Sequence, residues 1–399
     1  MIGGVANNER RQDLSRRASL RRLAVIGGVV LLAGCKVIPK GVPETQAPPP
    51  PVEQPSASNL PTDAQRHRVA LLVPMSGTNA GVGQSISNAT TMALLDTNDR
   101  NLRITTYDTA TGAQAAAARA IAEGNKLILG PLLSEDVATV AAAARPARVP
   151  MIAFSNDSGV AAADVFVLGH VPAQSVARVV SYAKSLGLSR FAALIPAGDY
   201  GQRAAAALTA SARAAGGSVT AIEVYDRGNT SVTSAANRLK AKGGYDAVLI
   251  ADGARIALRA GPLLKAVGAA NPRILGTELW AGENTVLASP ALRGGWFASV
   301  SDTRYRQYVN SYKARFGNQP HRISTLGYDG VLLAIRVARD WKPGSPFPTR
   351  KLADKGGFLG LDGAFRFGLD NVAERAWEVR EVGSGTTTTV SPAPVRFAE

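Results

Sequence analysis

The chain has 399 residues, with 45 Lys and Arg against 30 Asp and Glu, a net charge of +15, 23 Pro, three His and one Cys. A single Cys forms neither an internal disulfide nor a thiolate cage, and His67, His170 and His321 stand far apart, which leaves little material for a zinc or haem site. Hydrophobic residues make up 46%, enough for one large or two ordinary cores, whereas 6% aromatic residues offer little stacking surface for single-stranded nucleic acid.

Taken in chain order, residues 1–34 read as an export signal. Arg16, Arg17, Arg21 and Arg22 precede an apolar run over 23–32 that is too short to span a bilayer comfortably, and small residues follow before Cys35. Leu32-Ala33-Gly34-Cys35 resembles the lipobox of bacterial lipoproteins, which implies cleavage before Cys35 and lipidation of its thiol; the other reading is a buried free Cys. Lys36 stands where an Asp marks lipoproteins kept at the inner membrane of enteric bacteria, so the resemblance favours the outer membrane. The stretch over 15–21 also resembles a twin-arginine export motif, beside the reading as an ordinary basic leader. Loss of the leader removes six Arg and two acids and leaves +11, a balance suited to anionic wall or membrane surfaces rather than an argument for nucleic acid.

Residues 35–66 hold eight of the 23 Pro and no apolar period, so they are expected to form an extended tether. At roughly 3 Å per residue in polyproline conformation it reaches up to about 90 Å.

From residue 67 short apolar runs alternate with Ala-rich helical stretches. Strands are expected over 69–73, 102–107, 126–129 and 149–153, with helices over 82–97, 113–123 and 134–144, the last with Ser134 as N-cap. A second unit follows, with helices over 176–186, 200–215, 229–240 and 254–267, and strands over 191–195, 219–224, 247–250 and 274–275. A strand over 296–300, helices over 303–316 and 323–338, and a terminal hairpin pairing 365–367 with 376–382 complete the pattern; 384–399 reads as a flexible tail. Strands without a polar face, separated by helices, imply α/β architecture with two parallel sheets flanked by helices. Ligands of such sheets sit at the carboxyl ends of strands. That places Ser76, Ser134, Ser155, Asn156 and Asp157 in the first unit, and Tyr200, Asp252 and Glu278 in the second, on the two sides of a cleft.

Val69 to Gly77 (VALLVPMSG), the run from Leu127 to Ser134 (LILGPLLS), Val149-Pro150-Met151-Ile152, Asp199-Tyr200-Gly201, Ile274 to Glu278 (ILGTE) and Ser324 to Asp329 (STLGYD) resemble, in order and spacing, the two-lobed type I periplasmic binding-protein fold. The similarity is to its branched-chain amino-acid binding branch and covers roughly 66–383. It implies a domain over 67–383 with a hinge between lobe 1, about 67–172 plus a late return segment, and lobe 2, about 173–300 plus the C-terminal hairpin. It further implies a serine at 134 and small polar residues over 155–157 holding a ligand's carboxylate and ammonium. A tyrosine at 200 would close over the ligand, and an acid at 278 would pair with the ammonium. Lipobox, tether and this fold together also resemble the lipid-anchored activators of penicillin-binding proteins, without the N-terminal helical-repeat domain that the best known of them carry.

For Ser134 a helix cap and a ligand contact stay open, and for Glu278 a surface acid, an interlobe salt bridge or a ligand contact. Gly81-Val82-Gly83-Gln84 lacks the spacing of a dinucleotide fingerprint and any following Lys, and no G-x-S-x-G elbow occurs. The helix with Arg304, Tyr305, Tyr308 and Tyr312 is either a protein-contacting face or a solvated helix with one Tyr stripe in the core. The expected function is non-enzymatic and cofactor-free: a periplasmic, lipid-anchored regulator that binds and activates a penicillin-binding protein. The alternative is the substrate-binding protein of an ABC importer for a branched-chain or related amino acid.

Overall fold

A computed structural model describes residues 65–228, 230–265, 271–394 and 397. The export segment, Cys35 and all but the last two residues of the tether lie outside the described residues.

Lobe 1 is a parallel sheet of β1 (His67–Val73), β2 (Leu102–Asp108), β3 (Leu127–Leu129), β4 (Met151–Ala153) and β5 (Val165–Val167) in the order β2-β1-β3-β4-β5. Its crossovers are α1 (Ala80–Thr97), α2 (Ala113–Ala122) and α3 (Ser134–Ala144). Along β1, Val69, Leu71 and Val73 pack against Ile86 and Ala93 of α1, while Ala70 and Leu72 pack against Ala117, Ala120 and Ala141 of α2 and α3. Covering both faces explains why the strand reads as a continuous apolar run.

Lobe 2 repeats the plan. α4 (Pro172–Ser185) leads into β6 (Arg190–Pro196), α5 (Asp199–Ala214), β7 (Ser218–Tyr225), α6 (Ser231–Lys242), β8 (Ala247–Ile250), α7 (Ala254–Leu264), β9 (Arg273–Gly276), α8 (Asn284–Ala288) and β10 (Trp296–Ser299). The chain then returns to lobe 1 with α9 (Thr303–Phe316), α10 (Thr325–Ala338) and an antiparallel sheet of β11 (Phe358–Gly360), β12 (Gly363–Phe367) and β13 (Ala373–Arg375), whose Phe358, Phe365 and Phe367 join the lobe 1 core. β14 (Glu378–Val382) and β15 (Thr387–Ser391) close the lobe 2 sheet in the order β15-β14-β10-β9-β8-β6-β7. The architecture is the two-lobed α/β fold expected.

Three expectations are corrected. The hairpin between 365–367 and 376–382 does not form: β12 pairs with β11 and β13, and β14 pairs with β10 and β15, because the intervening chain crosses from one lobe to the other. The tail over 384–399 contributes β15, which binds the free edge of β14. Ser134 is the first residue of α3 rather than its N-cap; Leu133 holds the cap position with extended backbone and no side-chain bond closes it.

Two glycines set helix starts over strand ends. A Cβ on Gly83 would lie 1.8 Å from the Pro74 carbonyl oxygen, and one on Gly201 would lie 1.8 Å from that of Pro196. The first turns of α1 and α5 thus press on the ends of β1 and β6, one at each side of the cleft.

Candidate ligand-binding site

The strand ends bring the candidate residues of the two lobes to one cleft, but most of their polar atoms are already occupied by the chain itself. In lobe 1, Ser76 Oγ donates to Asp108 Oδ2 at 2.7 Å and Met75 N donates to Asp108 Oδ1 at 2.7 Å. These bonds, Ser76 first, hold the Asp108 carboxyl below its ordinary pKa. Ser155 is buried and its Oγ accepts from Asp157 N at 3.0 Å, while Asp157 Oδ1 accepts from Gly159 N at 2.9 Å. Phe154, just before, points into the lobe 1 core against Gly330.

In lobe 2, the half-buried Glu278 accepts from Ser175 Oγ at one carboxyl oxygen and from Tyr200 OH at the other, the latter at 3.0 Å. Withdrawal from water raises the Glu278 carboxyl pKa, and burial together with Glu278 pushes the Tyr200 phenol well up. Asp252 is held by Tyr225 OH, by Arg227 Nε at 2.8 Å and Nη2 at 3.2 Å, and by Gly253 N at 2.8 Å. Neither acid is left free for a ligand's ammonium. Glu278 pairs within lobe 2, so the interlobe salt bridge considered for it is not formed.

The residue that does cross the cleft is Arg203. It sits one turn along α5 from Tyr200, on the same face, a spacing from which it could have been singled out. Its Nη1 donates to Asp157 Oδ2 at 3.0 Å and its Nη2 to Asn156 Oδ1 at 3.3 Å, and its Nε is buried without a partner. Ser134, half-buried at the start of α3, has the macrodipole's positive end beside it, with Glu135 and Asp136 in the same turn.

The side chains that hold the hinge were not legible in the sequence. Three segments cross between lobes, at 168–171, 300–302 and 376–377, and polar side chains tie the first and third to each other. Asp362, fully buried in the turn between β11 and β12, lies 2.9 Å from His170 Nε2 on the first crossover and accepts from Thr325 Oγ1 at 2.8 Å and Arg322 Nη1 at 2.7 Å. Arg375, at the start of the third crossover, donates to Leu168 O at 2.7 Å. Gln174 on α4 accepts from Arg375 N at 3.1 Å and Trp377 Nε1 at 3.0 Å. Asp329 on α10 accepts from Leu361 N at 2.6 Å and so holds the turn that carries Asp362. Burial raises Asp329, reinforced by Asp362, to about 7. Burial and then Arg375 lower His170 to about 4, against the pull of Asp362. Burial alone would raise Asp362, but Arg322, His170 and Arg375 override it and hold the carboxyl far below its ordinary value.

On α9 the Tyr stripe belongs to the core, which removes Tyr308 and Tyr312 from a partner surface. Tyr308 is 2% and Tyr312 1% exposed, packed on Ala89 and Met92; Tyr308 OH pairs with Ser324 Oγ at 2.6 Å and Tyr312 OH accepts from Asn88 Nδ2 at 3.0 Å. Tyr305 is half-buried under the Arg322 guanidinium, 4.1 Å from its ring, and Arg304 is exposed and donates to Gly360 O at 3.1 Å. Among the described residues no group of three or more His, Cys, Asp or Glu could hold a metal ion, and no helix is long and apolar enough to cross a membrane.

Residues 67–387 match the family described as periplasmic binding protein. An uncharacterized protein of Rickettsia prowazekii (strain Madrid E) is 31% identical over 136 residues, 34% of this chain and 36% of that protein, so the match spans about a third of the relative's length. Among solved structures, the branched-chain amino acid transporter substrate-binding protein LivJ of Streptococcus pneumoniae, in complex with isoleucine, superposes with a TM-score of 0.64 at 19% identity, covering 82% of this chain and 100% of that one. A solute-binding protein of an ABC transporter from Rhodopseudomonas palustris BisB5, in complex with 3,4-dihydroxybenzoic acid, gives 0.66 at 20% identity, covering 82% and 97%. At these identities the solved structures bear on the fold.

Proposed function

We propose that this chain, which belongs to the periplasmic binding-protein family, is a ligand receptor of the periplasm whose two lobes close on a small carboxylate, in the manner of the substrate-binding proteins of ABC importers. The observation that carries this reading is Arg203 of lobe 2 reaching Asn156 and Asp157 of lobe 1. A guanidinium that spans the cleft to a carboxylate is a ready partner for the carboxylate of a ligand, and exchange of one for the other keeps the charge-assisted bond. Glu278 and Asp252 favour a ligand with no ammonium, since both are engaged by neighbouring side chains.

A second reading keeps the same fold as a protein-contacting module: a lipid-anchored activator of a penicillin-binding protein, attached through Cys35 to the outer membrane. The Arg203 contacts across the cleft favour it, because a cleft latched by its own side chains needs no solute to stay closed. The tether over 35–66 supports it as well, since about 90 Å of reach suits a domain that must meet a partner away from its membrane.

The test is calorimetry of the full chain against amino acids and against aromatic and aliphatic monocarboxylates. Saturable binding of a monocarboxylate, weakened at least tenfold in Arg203→Ala, supports the receptor. No binding by either class, with stimulation of a co-purified peptidoglycan synthase, moves the conclusion to the activator. Cys35→Ala is expected to release the protein from membranes, and unchanged membrane association in that variant counts against lipid anchoring.

A further inference from the structure

At the end of lobe 1 opposite the cleft, a cavity of about 190 Å³ opens between the starts of β1 and β3. Arg66, Arg68 and Lys126 line it, with His67 and Trp341. His67 and Trp341 stack at 4.2 Å with an interplanar angle of 16°, and Trp341 in turn is fixed by Phe347 and by its Nε1 donating to Ser345 O at 2.9 Å. The floor is therefore a rigid aromatic pair, and the wall is cationic.

Two orphan polar atoms lie here. His67 is 4% exposed, and its Nδ1 has no hydrogen-bond partner; Arg66 Nε is likewise buried without one. Buried polar atoms without a partner are uncommon in folded proteins, and these two sit beside the cationic wall. Three cations face the space and no carboxylate lines it. The acids nearby are turned to other work: Asp99 accepts from Asn101 N at 2.9 Å and Leu102 N at 2.8 Å, and Glu123 takes Arg119 Nε at 2.8 Å and Tyr107 OH at 2.6 Å. Arg68 is steadied by donating Nη1 to the Glu123 carbonyl oxygen at 2.9 Å. The space, at about 30 Å³ per water, accommodates a phosphate group with a few waters.

We propose that this cavity is an anion site that takes a phosphate group between Arg66, Arg68 and Lys126, beside the His67–Trp341 pair. Two sources share that chemistry, a phospholipid headgroup and a soluble phosphorylated compound. The chain enters the domain at this edge, with Arg66 directly ahead of β1.

The full chain carrying Cys35→Ala, which removes any lipid attachment, is titrated with inorganic phosphate by calorimetry, with the His67 imidazole followed by NMR. The expected result is saturable one-to-one binding that moves the His67 signal. Lys126→Ala and Arg66→Ala each weaken it at least tenfold, Lys126→Arg restores it, and Arg100→Ala, a cation at the same edge outside the cavity, leaves it unchanged. Absence of saturable binding, or binding indifferent to Lys126→Ala and Arg66→Ala in variants that keep the parent's melting temperature, overturns the proposal. Sedimentation with phosphatidylcholine vesicles, with and without phosphatidylglycerol, then separates the sources. Retention on the anionic vesicles that free phosphate displaces identifies a headgroup; phosphate binding without retention identifies a soluble compound.

Discussion

Replacing Asp362 by Asn tests the hinge most directly. The side chain keeps its shape and one acceptor, but the carboxylate that faces Arg322 at 2.7 Å and His170 at 2.9 Å is lost, and it has no solvent exposure from which water could compensate. Breaking a buried ion pair by removing one partner costs about 3–5 kcal/mol, because the remaining charge is stranded in a poorly polarisable place. Here two guanidinium groups are stranded, and Arg322 Nε and Nη2 and Arg375 Nε and Nη1 already lack partners. One effect opposes the loss. Asp329, whose pKa is raised partly by Asp362, becomes easier to ionise and takes over some of the compensation. The lower end of the range, about 3 kcal/mol, is the expected loss, which at roughly 2 °C per kcal/mol for a chain of this size lowers the melting temperature by about 6 °C. Urea unfolding followed by tryptophan fluorescence measures it. X-ray scattering on the same variant reads the lobes: freed crossovers broaden the distance distribution at its long end. A loss below 1 kcal/mol with an unchanged scattering profile would refute the assignment of Asp362 as the charge that ties the crossovers.

Other expectations follow from the same geometry. Gly201→Ala places a methyl 1.8 Å from the Pro196 carbonyl oxygen and forces α5 off the end of β6; a destabilisation of about 2–3 kcal/mol is expected by denaturant unfolding, and a neutral result contradicts the packing of that helix start. Glu278→Gln keeps the side chain's shape and one acceptor oxygen and puts an amide nitrogen in place of the other, so it is expected to change monocarboxylate affinity less than threefold where Arg203→Ala changes it at least tenfold; the reverse order refutes the choice of a ligand without an ammonium. Between pH 4 and 6.5 two hinge groups oppose each other. His170, with its pKa lowered to about 4, is neutral in the fold while the unfolded chain binds a proton, so stability rises with pH. Asp329, raised to about 7, is protonated in the fold while the unfolded chain has lost its proton, so stability falls with pH. The slopes largely cancel in the parent. Asp329→Asn is expected to leave the rising limb, at most about 1.4 kcal/mol per pH unit, and His170→Gln the falling one; parallel profiles for the two variants rule the pair out.

What the sequence made legible was what local pattern encodes. β1, β6 and β8 are buried on both faces and read as unbroken apolar runs, and their order with the intervening helices was enough for the fold. β5, β11, β13 and β15 were missed. The misplaced hairpin had a physical cause: 365–367 and 376–382 are each strand-like, but only tertiary structure shows that a crossover between lobes separates them. Among cleft residues, position at a strand end located Asn156, Asp157, Tyr200, Asp252 and Glu278, yet gave no sign that the acids were engaged by Ser175, Tyr225 and Arg227. Asp362 and His170 stand 192 positions apart, and nothing local to either marks the pair.

The polar character of the hinge follows from what crossovers are. Extended segments between lobes have no helix or sheet to satisfy their backbone, and buried carbonyls must find donors. Side chains supply them: Arg375 donates to Leu168 O at 2.7 Å and Arg178 to Trp377 O at 2.9 Å, while Arg380 donates to Val300 O at 3.3 Å. An apolar hinge of the same volume would leave those carbonyls bare. The magnitudes then rank the two interlobe attachments. The Arg203–Asp157 pair is about a quarter exposed on each side, and pairs of that kind contribute about 0–1 kcal/mol. Removing one partner from the Asp362 cluster costs about 3–5 kcal/mol, because a charge is left buried and unpaired. An anion that competes for Arg203 therefore has a contribution of only about 0–1 kcal/mol to overcome at that pair.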